Sequence, residues 1–281
     1  MSQSPGTSRV LPSVAVLGGG VMGGTIVGAL VAAGWGPDSV VVSEKDQARG
    51  EALRKAHGIR LDSSLSSAVA GAGAVVVAVK PQDVADVLAI VGPALSPGTL
   101  VVSVAAGLTA AFFEARLPAG TPVVRTMPNT PAIVSQGATA VAPGHNATAN
   151  HVALVGAMLR STGLVVNVEE RDLDAVTAVS GSGPAYFYAM VEALIEAGVG
   201  QGLDRLVATQ LATQTFVGAA RLLVESGETP QALRAKVSSP GGTTLAALRA
   251  MEIAGLGDVI AAGAGAAAAR AKEMAKELGG G

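Results

Sequence analysis

The sequence contains no cysteine among its 281 residues. Disulfides, a thiolate nucleophile and zinc–thiolate sites are thereby excluded. Histidine is scarce as well. His57, His145 and His151 are scattered in no metal-binding pattern, so no metal is expected. Aromatic residues make up 2%, which leaves the core to Val, Leu, Ile and Ala. Charged residues are only 14%, the formal net charge is -2, and there is no long basic run. Sequence-independent nucleic-acid binding needs many phosphate contacts, so that class is set aside. Two stretches are nearly free of charge, but neither reads as a membrane span. Residues 13–35 hold Gly18, Gly19, Gly20, Gly23 and Gly24, which suit a turn better than a spanning helix. Residues 254–269 are mostly Ala and Gly around Asp258 and read as a buried or intersubunit helix. Residues 1 to about 11 read as a loose leader. A cytoplasmic location is expected, and the lack of cysteine is compatible with it.

What is present is 49% hydrophobic, a composition that folds. The length suits two domains or one large one. In the first half, short β-branched runs at 13–17, 39–42, 74–79, 99–102 and 122–125 alternate with helix-like stretches at 22–33, 47–57, 65–70, 83–91 and 110–115. Continuous apolar strands separated by helices indicate a parallel sheet covered on both faces. Two further strands fit 138–142 and 164–167, with a helix at 147–159 between them. After about residue 169 the strand signals stop. Helices are expected at 185–197, 203–225, 230–236, 243–254 and 256–276. Their polar positions are too few to solvate every face, which points to burial against another subunit. The fold class is therefore α/β: a Rossmann-type doubly wound sheet over residues 1–168, then an all-α dimerisation domain over 169–281.

The run VAVLGGGVMGG places Gly18, Gly20 and Gly23 in G-x-G-x-x-G spacing, directly after an apolar strand and at the head of an apolar helix. That context is what the dinucleotide fingerprint requires. Gly18 permits the tight turn, Gly20 lets a pyrophosphate approach the backbone, and Gly23 lets helix and strand pack closely. The N-terminus of the helix that follows then points N–H groups at the phosphates. At the end of the second strand, an acidic residue favours a free ribose 2′-hydroxyl and a basic one a 2′-phosphate. Here Ser43, Glu44 and Lys45 offer both, with Arg49 one turn on. The balance favours NADPH, with NADH as the alternative.

Ligands in open α/β sheets bind outside the carboxyl ends of the strands. That rule brings Val79, Lys80 and Pro81, and then Val104, Ala105 and Ala106, toward the cofactor. Pro81 also suits a helix start. Met127-Pro128-Asn129-Thr130-Pro131 forms a third, rigid strand end. Asn129 there serves either a cofactor hydrogen bond or a bond that holds the loop. In Ser180–Tyr186, Ser182 suits a cap and Pro184 a first helical turn. In the helical tail, Ser239-Pro240-Gly241-Gly242-Thr243-Thr244 breaks one helix and opens another, exposing backbone N–H groups that suit an anion.

Five segments in this order, GGGVMG, AVKPQDV, RTMPNTPA, AVSGSGPAYFYAMVEAL and VSSPGGTTLAAL, resemble pyrroline-5-carboxylate reductase from Val14 to about Ala271. The resemblance implies reduction of 1-pyrroline-5-carboxylate to L-proline, the last step of proline biosynthesis, by hydride from NADPH or NADH. It also implies an interleaved homodimer, often built into a larger ring. The pyrophosphate falls at Gly18 to Gly23, Val21 and Met22 included, and the ribose-phosphate near Ser43 and Lys45. The nicotinamide falls by Val79 to Pro81 and Val104 to Ala106. Met127 and Asn129 are grouped with the cofactor residues. The substrate lies against Ser239, Gly241, Gly242, Thr243 and Thr244, with Thr244 beside the ring nitrogen as the catalytic candidate and Glu170 near the pocket. The chain departs from the family pattern at Glu44-Lys45, where many members have Asn-Arg, and at Leu65 and Lys236, where some have Asn. Two rival classes are a β-hydroxyacid dehydrogenase, for which Lys236 is the nearest catalytic lysine, and a cofactor-binding regulator without turnover.

Overall fold

The computed structural model describes residues 11–279 and divides them into two compact units. The first holds the described residues through Gly181 and those from Ala267 on; the second is Ser182–Ala266. Of the leader expected over residues 1 to about 11, all but the last residue lie outside the described residues. Leu11 itself packs against the core.

The first unit runs β1 (Val14–Leu17), α1 (Val21–Ala32), β2 (Val40–Ser43), α2 (Gln47–His57), β3 (Arg60–Leu61), α3 (Leu65–Val69), β4 (Ala74–Val77), α4 (Val84–Val91), β5 (Leu100–Ser103), α5 (Ala110–Glu114), β6 (Val123–Met127), β7 (Gly137–Pro143), α6 (Ala149–Leu159), β8 (Gly163–Asn167) and α7 (Leu173–Val176). The strands form one sheet in the order β3-β2-β1-β4-β5-β6-β7-β8. From β3 to β6 every pairing is parallel.

Successive strand residues point to opposite faces, and here both faces are dry. Val14, Val16, Val40 and Val42 pack with Ile26, Val27 and Leu30 of α1 and with Val155 and Met158 of α6. Ala15, Leu17, Val75 and Val77 pack with Val84, Leu88 and Val91 of α4 and with Phe112 and Phe113 of α5. The sheet is thus doubly wound, as its uninterrupted apolar strands require. Trp35, 2% exposed, closes one end of the first core and donates its Nε1–H to the Pro12 carbonyl at 3.0 Å.

One pairing departs from an all-parallel sheet, and one strand carries no signal in the sequence. β7 pairs antiparallel with β6, Met127 facing Ala140, and β8 then lies parallel to β7 with α6 as the crossover. A parallel return needs a crossover of a dozen or more residues. The link from β6 to β7 holds only a 3-10 turn, Thr130–Val134, so the strand must reverse. The short edge strand β3 has both residues exposed and so leaves no apolar signal.

The second unit contains α8 (Gly183–Gly200), α9 (Arg205–Ser226), α10 (Pro230–Lys236) and α11 (Thr243–Ile253); the last helix, α12 (Leu256–Gly279), begins in it. Pro184 occupies the first turn of α8, where its missing N–H costs nothing. Ser182 does not cap that helix: its backbone is already helical (φ -86°, ψ -19°) and its side chain makes no capping bond. A cap needs an extended backbone. The π-turn Thr177–Gly181 immediately upstream keeps the chain helical there. Among the described residues no helix is long and apolar enough to cross a membrane.

α1 approaches the strand loop so closely that a Cβ on Gly23 would collide with the Gly18 carbonyl oxygen. Gly23→Ala is therefore expected to destabilise the first unit by about 3 kcal/mol, measured by thermal unfolding. An unchanged midpoint would show that the loop relaxes freely.

Candidate active site

The parallel sheet sets the carboxyl ends of β1, β2, β4, β5 and β6 along one edge. The strand order reverses between β1 and β4, the switch point where open α/β sheets bind ligands. The loops leaving these strands carry Gly18–Gly20, Ser43–Lys45, Val79–Pro81, Val104–Ala106 and Met127–Asn129. Every cofactor candidate read from the sequence therefore lies on that edge or, for Val21, Met22 and Gly23, in the first turn of α1.

The turn from β1 into α1 is built by two close approaches and one opening. Gly18 has φ +98°, and a Cβ there would lie 2.8 Å from the Ala78 carbonyl oxygen. Gly23 presses on Gly18. Among the described residues, by contrast, nothing lies within 4 Å of where a Cβ on Gly20 would be. The chain's own packing does not require glycine at that position, whereas an external group lying against the backbone would. Gly20 is the N-cap of α1 and supplies no side-chain bond, and the first turn carries no acidic residue. The leading N–H groups of α1 are thus left for an anion. These residues fit the pyrophosphate of a dinucleotide.

Glu44, treated in the sequence only as a complication for the cofactor, is a built part of this site. Its Oε2 accepts from the Gly19 N–H at 2.7 Å and its Oε1 from the Asp46 N–H at 2.8 Å. Its side chain is 5% exposed and lies 3.4 Å from the Arg49 guanidinium. Burial favours the neutral carboxyl, but the two backbone N–H groups and Arg49 outweigh it and hold Glu44 below the usual carboxylate range. Gly19 joins the site through this contact. A Cβ on it would meet Leu53 at 2.8 Å and Glu44 Oε2 at 3.3 Å. Ser43 is buried, and its carbonyl accepts from the Gly18 N–H at 2.8 Å. Lys45 is exposed.

On the neighbouring strands, the Ala78 N–H bonds the Leu17 carbonyl and the Val104 N–H the Val77 carbonyl. The ladder thus continues to the residues expected near the nicotinamide. Val79, Val104 and Ala106 are half-buried, Ala105 is buried and Lys80 is exposed. Asn129 holds its loop. Its Oδ1 accepts from the Ala138 N–H at 2.8 Å, and its Nδ2 donates to the Ser180 carbonyl at 3.2 Å. Of the two roles open in the sequence, the loop-holding one is visible, through β7 and the π-turn rather than through a local turn.

Glu170 also has structural partners. Its Oε1 accepts from the Ala110 N–H at 2.6 Å and from Arg125 Nη1 at 2.8 Å. Arg125 is 11% exposed in the middle of apolar β6, so this carboxylate neutralises a nearly buried cation. The sequence reading missed Arg125; a lone charge in an apolar strand was the available signal.

In the second unit, Ser239-Pro240-Gly241-Gly242 is a type II turn. The Gly242 N–H donates to the Ser239 carbonyl at 3.0 Å, with proline at the second position and Gly241 at φ +73° in the third. α11 begins at Thr243, with Gly242 as an N-cap that makes no side-chain bond and no acidic residue in the first turn. Thr243 is exposed and Thr244 half-buried. Lys236, the lysine a hydroxyacid dehydrogenase would need, is held by Glu228 at 2.6 Å. Glu170→Gln is expected to lower stability by about 2 kcal/mol, the cost of weakening a charged hydrogen bond to a nearly buried group, measured by thermal unfolding. An unchanged midpoint would free Glu170 for a ligand-binding role.

Comparison with known proteins agrees with this geometry. Residues 170–274 match the family model for pyrroline-5-carboxylate reductase dimerisation, and residues 13–107 match the model for NADP oxidoreductase, coenzyme F420-dependent. A pyrroline-5-carboxylate reductase of Mycobacterium tuberculosis is 44% identical, over 93% of this chain and 96% of its own length. The structure of a pyrroline-5-carboxylate reductase from Coxiella burnetii superposes with a TM-score of 0.90 at 34% identity, covering 95% of this chain and 99% of that one. The pyrroline carboxylate reductase of Plasmodium falciparum, solved with NADP bound, gives a TM-score of 0.83 at 28% identity, covering 94% and 98%. On identity, coverage and matched domains together, the chain belongs to the pyrroline-5-carboxylate reductase family.

Proposed function

We propose that this protein reduces 1-pyrroline-5-carboxylate to L-proline, the last step of proline biosynthesis, with hydride from NADPH or NADH. The observation that carries the reading is the pair of uncapped helix N-termini, one at each motif: α1 behind Gly20 and α11 behind Gly242. The first suits a pyrophosphate and the second a carboxylate.

The chemistry asks for positioning more than for acid or base groups. A protonated cyclic imine is already an electrophile at C5, and the bound dinucleotide supplies the hydride. In our reading the N–H groups of Gly241 and Thr243, with the Ser239 hydroxyl, hold the substrate carboxylate, and Gly242, whose own N–H closes the turn onto the Ser239 carbonyl, lines it. The Thr244 hydroxyl bonds the ring nitrogen as it changes from imine to amine. Val79, Lys80, Pro81, Val104, Ala105 and Ala106 form the wall for the nicotinamide ring, and Gly18, Gly20, Val21, Met22 and Gly23 hold the pyrophosphate. Ser43 and Lys45 border the ribose, while Met127 and Asn129 support the cofactor side through their loop. Glu170 stands as a brace behind the site. Residues 1–168 take the dinucleotide, and 169–281 serve dimerisation and substrate binding.

The second unit favours assembly. Val224 and Ile253 are 81% and 88% exposed, and Leu206, Leu211, Leu222 and Val259 are also exposed on its helices. Apolar patches of this kind mark association surfaces. We take the protein as a homodimer built into a larger ring, located in the cytoplasm.

Oxidation of NADPH or NADH should depend on 1-pyrroline-5-carboxylate and yield proline in equal amount. Thr244→Ala should lower kcat roughly tenfold or more, the effect of losing one hydrogen bond that strengthens toward the transition state. Circular dichroism should stay unchanged. Unchanged kinetics would remove Thr244 from the mechanism, and no turnover with this substrate in the wild type would remove the function itself.

A further inference from the structure

We propose that Glu44 makes this chain select a free adenosine ribose over a 2′-phosphorylated one, so that NADH is taken in preference to NADPH. The proposal rests on reading the β1–α1 turn as a dinucleotide site. It reverses the expectation drawn from Lys45 and Arg49.

Each oxygen of the Glu44 carboxylate already accepts one backbone N–H, from Gly19 at 2.7 Å and from Asp46 at 2.8 Å. A carboxylate offers about four lone-pair positions; with Arg49 also facing Oε2 at 3.4 Å, roughly one remains, on Oε1. A ribose hydroxyl donates to such a group. A phosphate dianion does not: like the carboxylate it only accepts, and it brings about -1.5 to -2 further charge. Glu44 cannot easily turn away, because moving it would strand the Gly19 N–H inside the turn that receives the pyrophosphate.

The basic residues that favoured NADPH in the sequence are differently engaged. Arg49 lies 3.4 Å from Glu44 and 3.3 Å from Asp46, so two carboxylates share its charge. Alongside Glu44 runs an open groove of about 910 Å³ between the ends of β2 and β3, lined by Glu44, Lys45, Gln47, Glu51, Leu61 and Asp62 among others. It lies where the adenosine half would extend from the turn. Glu51, Asp62 and Glu44 face it against one ammonium, Lys45. Glu51 is paired with Arg54, and the Asp62 carboxylate accepts from Ser64 and Ser67. The groove therefore sets three carboxylates against one ammonium, with the Gln47 amide and the Ser63 hydroxyl as its neutral donors.

Binding measured by titration calorimetry tests this without turnover. For the wild type, NADH is expected to bind about tenfold or more tightly than NADPH, the scale of one unfavourable like-charge contact near a protein surface. Adenosine 5′-monophosphate should likewise outcompete adenosine 2′,5′-bisphosphate. Glu44→Ser should raise affinity for NADPH relative to NADH by a similar factor. Equal or tighter NADPH binding by the wild type would overturn the proposal. So would a Glu44→Ser variant that folds and keeps the wild-type ratio. If that variant fails to fold, the wild-type ratio and the mononucleotide pair decide. Failure of both dinucleotides to bind would instead sink the dinucleotide reading, and this proposal with it.

Discussion

The structure depends on how closely α1 approaches the loop that leaves β1. Helix and strand meet at Gly23 and Gly18 with no room for a methyl group between them. That contact fixes the entry angle of α1, and so decides where its free N–H groups point. A side chain at either position would push the helix away and aim those groups elsewhere. The rest of the sheet edge then follows from the ladder. β2, β4, β5 and β6 run in register with β1 and release their loops on the same side. A dinucleotide site needs such convergence, because no single segment supplies phosphate, ribose and ring contacts.

The helical unit is governed by an opposite constraint, a surplus of apolar surface. Only Gly183, Ala208 and Ala212 are buried in α8 and α9, although both helices are rich in Leu, Val and Ala. Phe187 and Phe216 stack at 5.4 Å, and Arg205 pairs with Glu196 at 2.6 Å, which fixes these two helices against each other. Neither contact covers their outer faces. Homo-oligomerisation, the property carried by the matched dimerisation domain, provides the missing burial. The turn at Ser239–Thr244, proposed above for the substrate, lies in this same unit.

Much of this was legible in the sequence, for reasons that differ by element. The buried strands read clearly because both faces of a doubly wound sheet are apolar, leaving Val-rich runs bounded by turns. The glycine turn read clearly because each glycine has a different steric reason to be there. Thr243 as the start of α11 followed from the two glycines before it. β3 was invisible because two exposed residues carry no pattern. The reversal at β7 lay in the length of a connection rather than in any residue. Ser182 failed as a cap because a π-turn, which has no propensity signature, keeps the chain helical through it. Long-range partners were the least legible. Nothing local joins Glu170 to Arg125, Asn129 to Ser180, or Glu44 to Gly19, and each pairing changes what the residue does. Glu170 becomes a brace, Asn129 a staple, and Glu44 an acceptor that ties the turn after β1 to the end of β2.

The central claim is that the opening at Gly20 exists for a bound pyrophosphate. Calorimetric binding of NADH and NADPH to Gly20→Ala, beside its thermal midpoint, tests it most directly. A methyl group at Gly20 meets nothing among the described residues. The account predicts an unchanged midpoint with affinity for both dinucleotides lowered by about a hundredfold, as expected when a group fills space against which phosphate must lie. A variant that is equally stable and binds both cofactors as tightly as the wild type would contradict it.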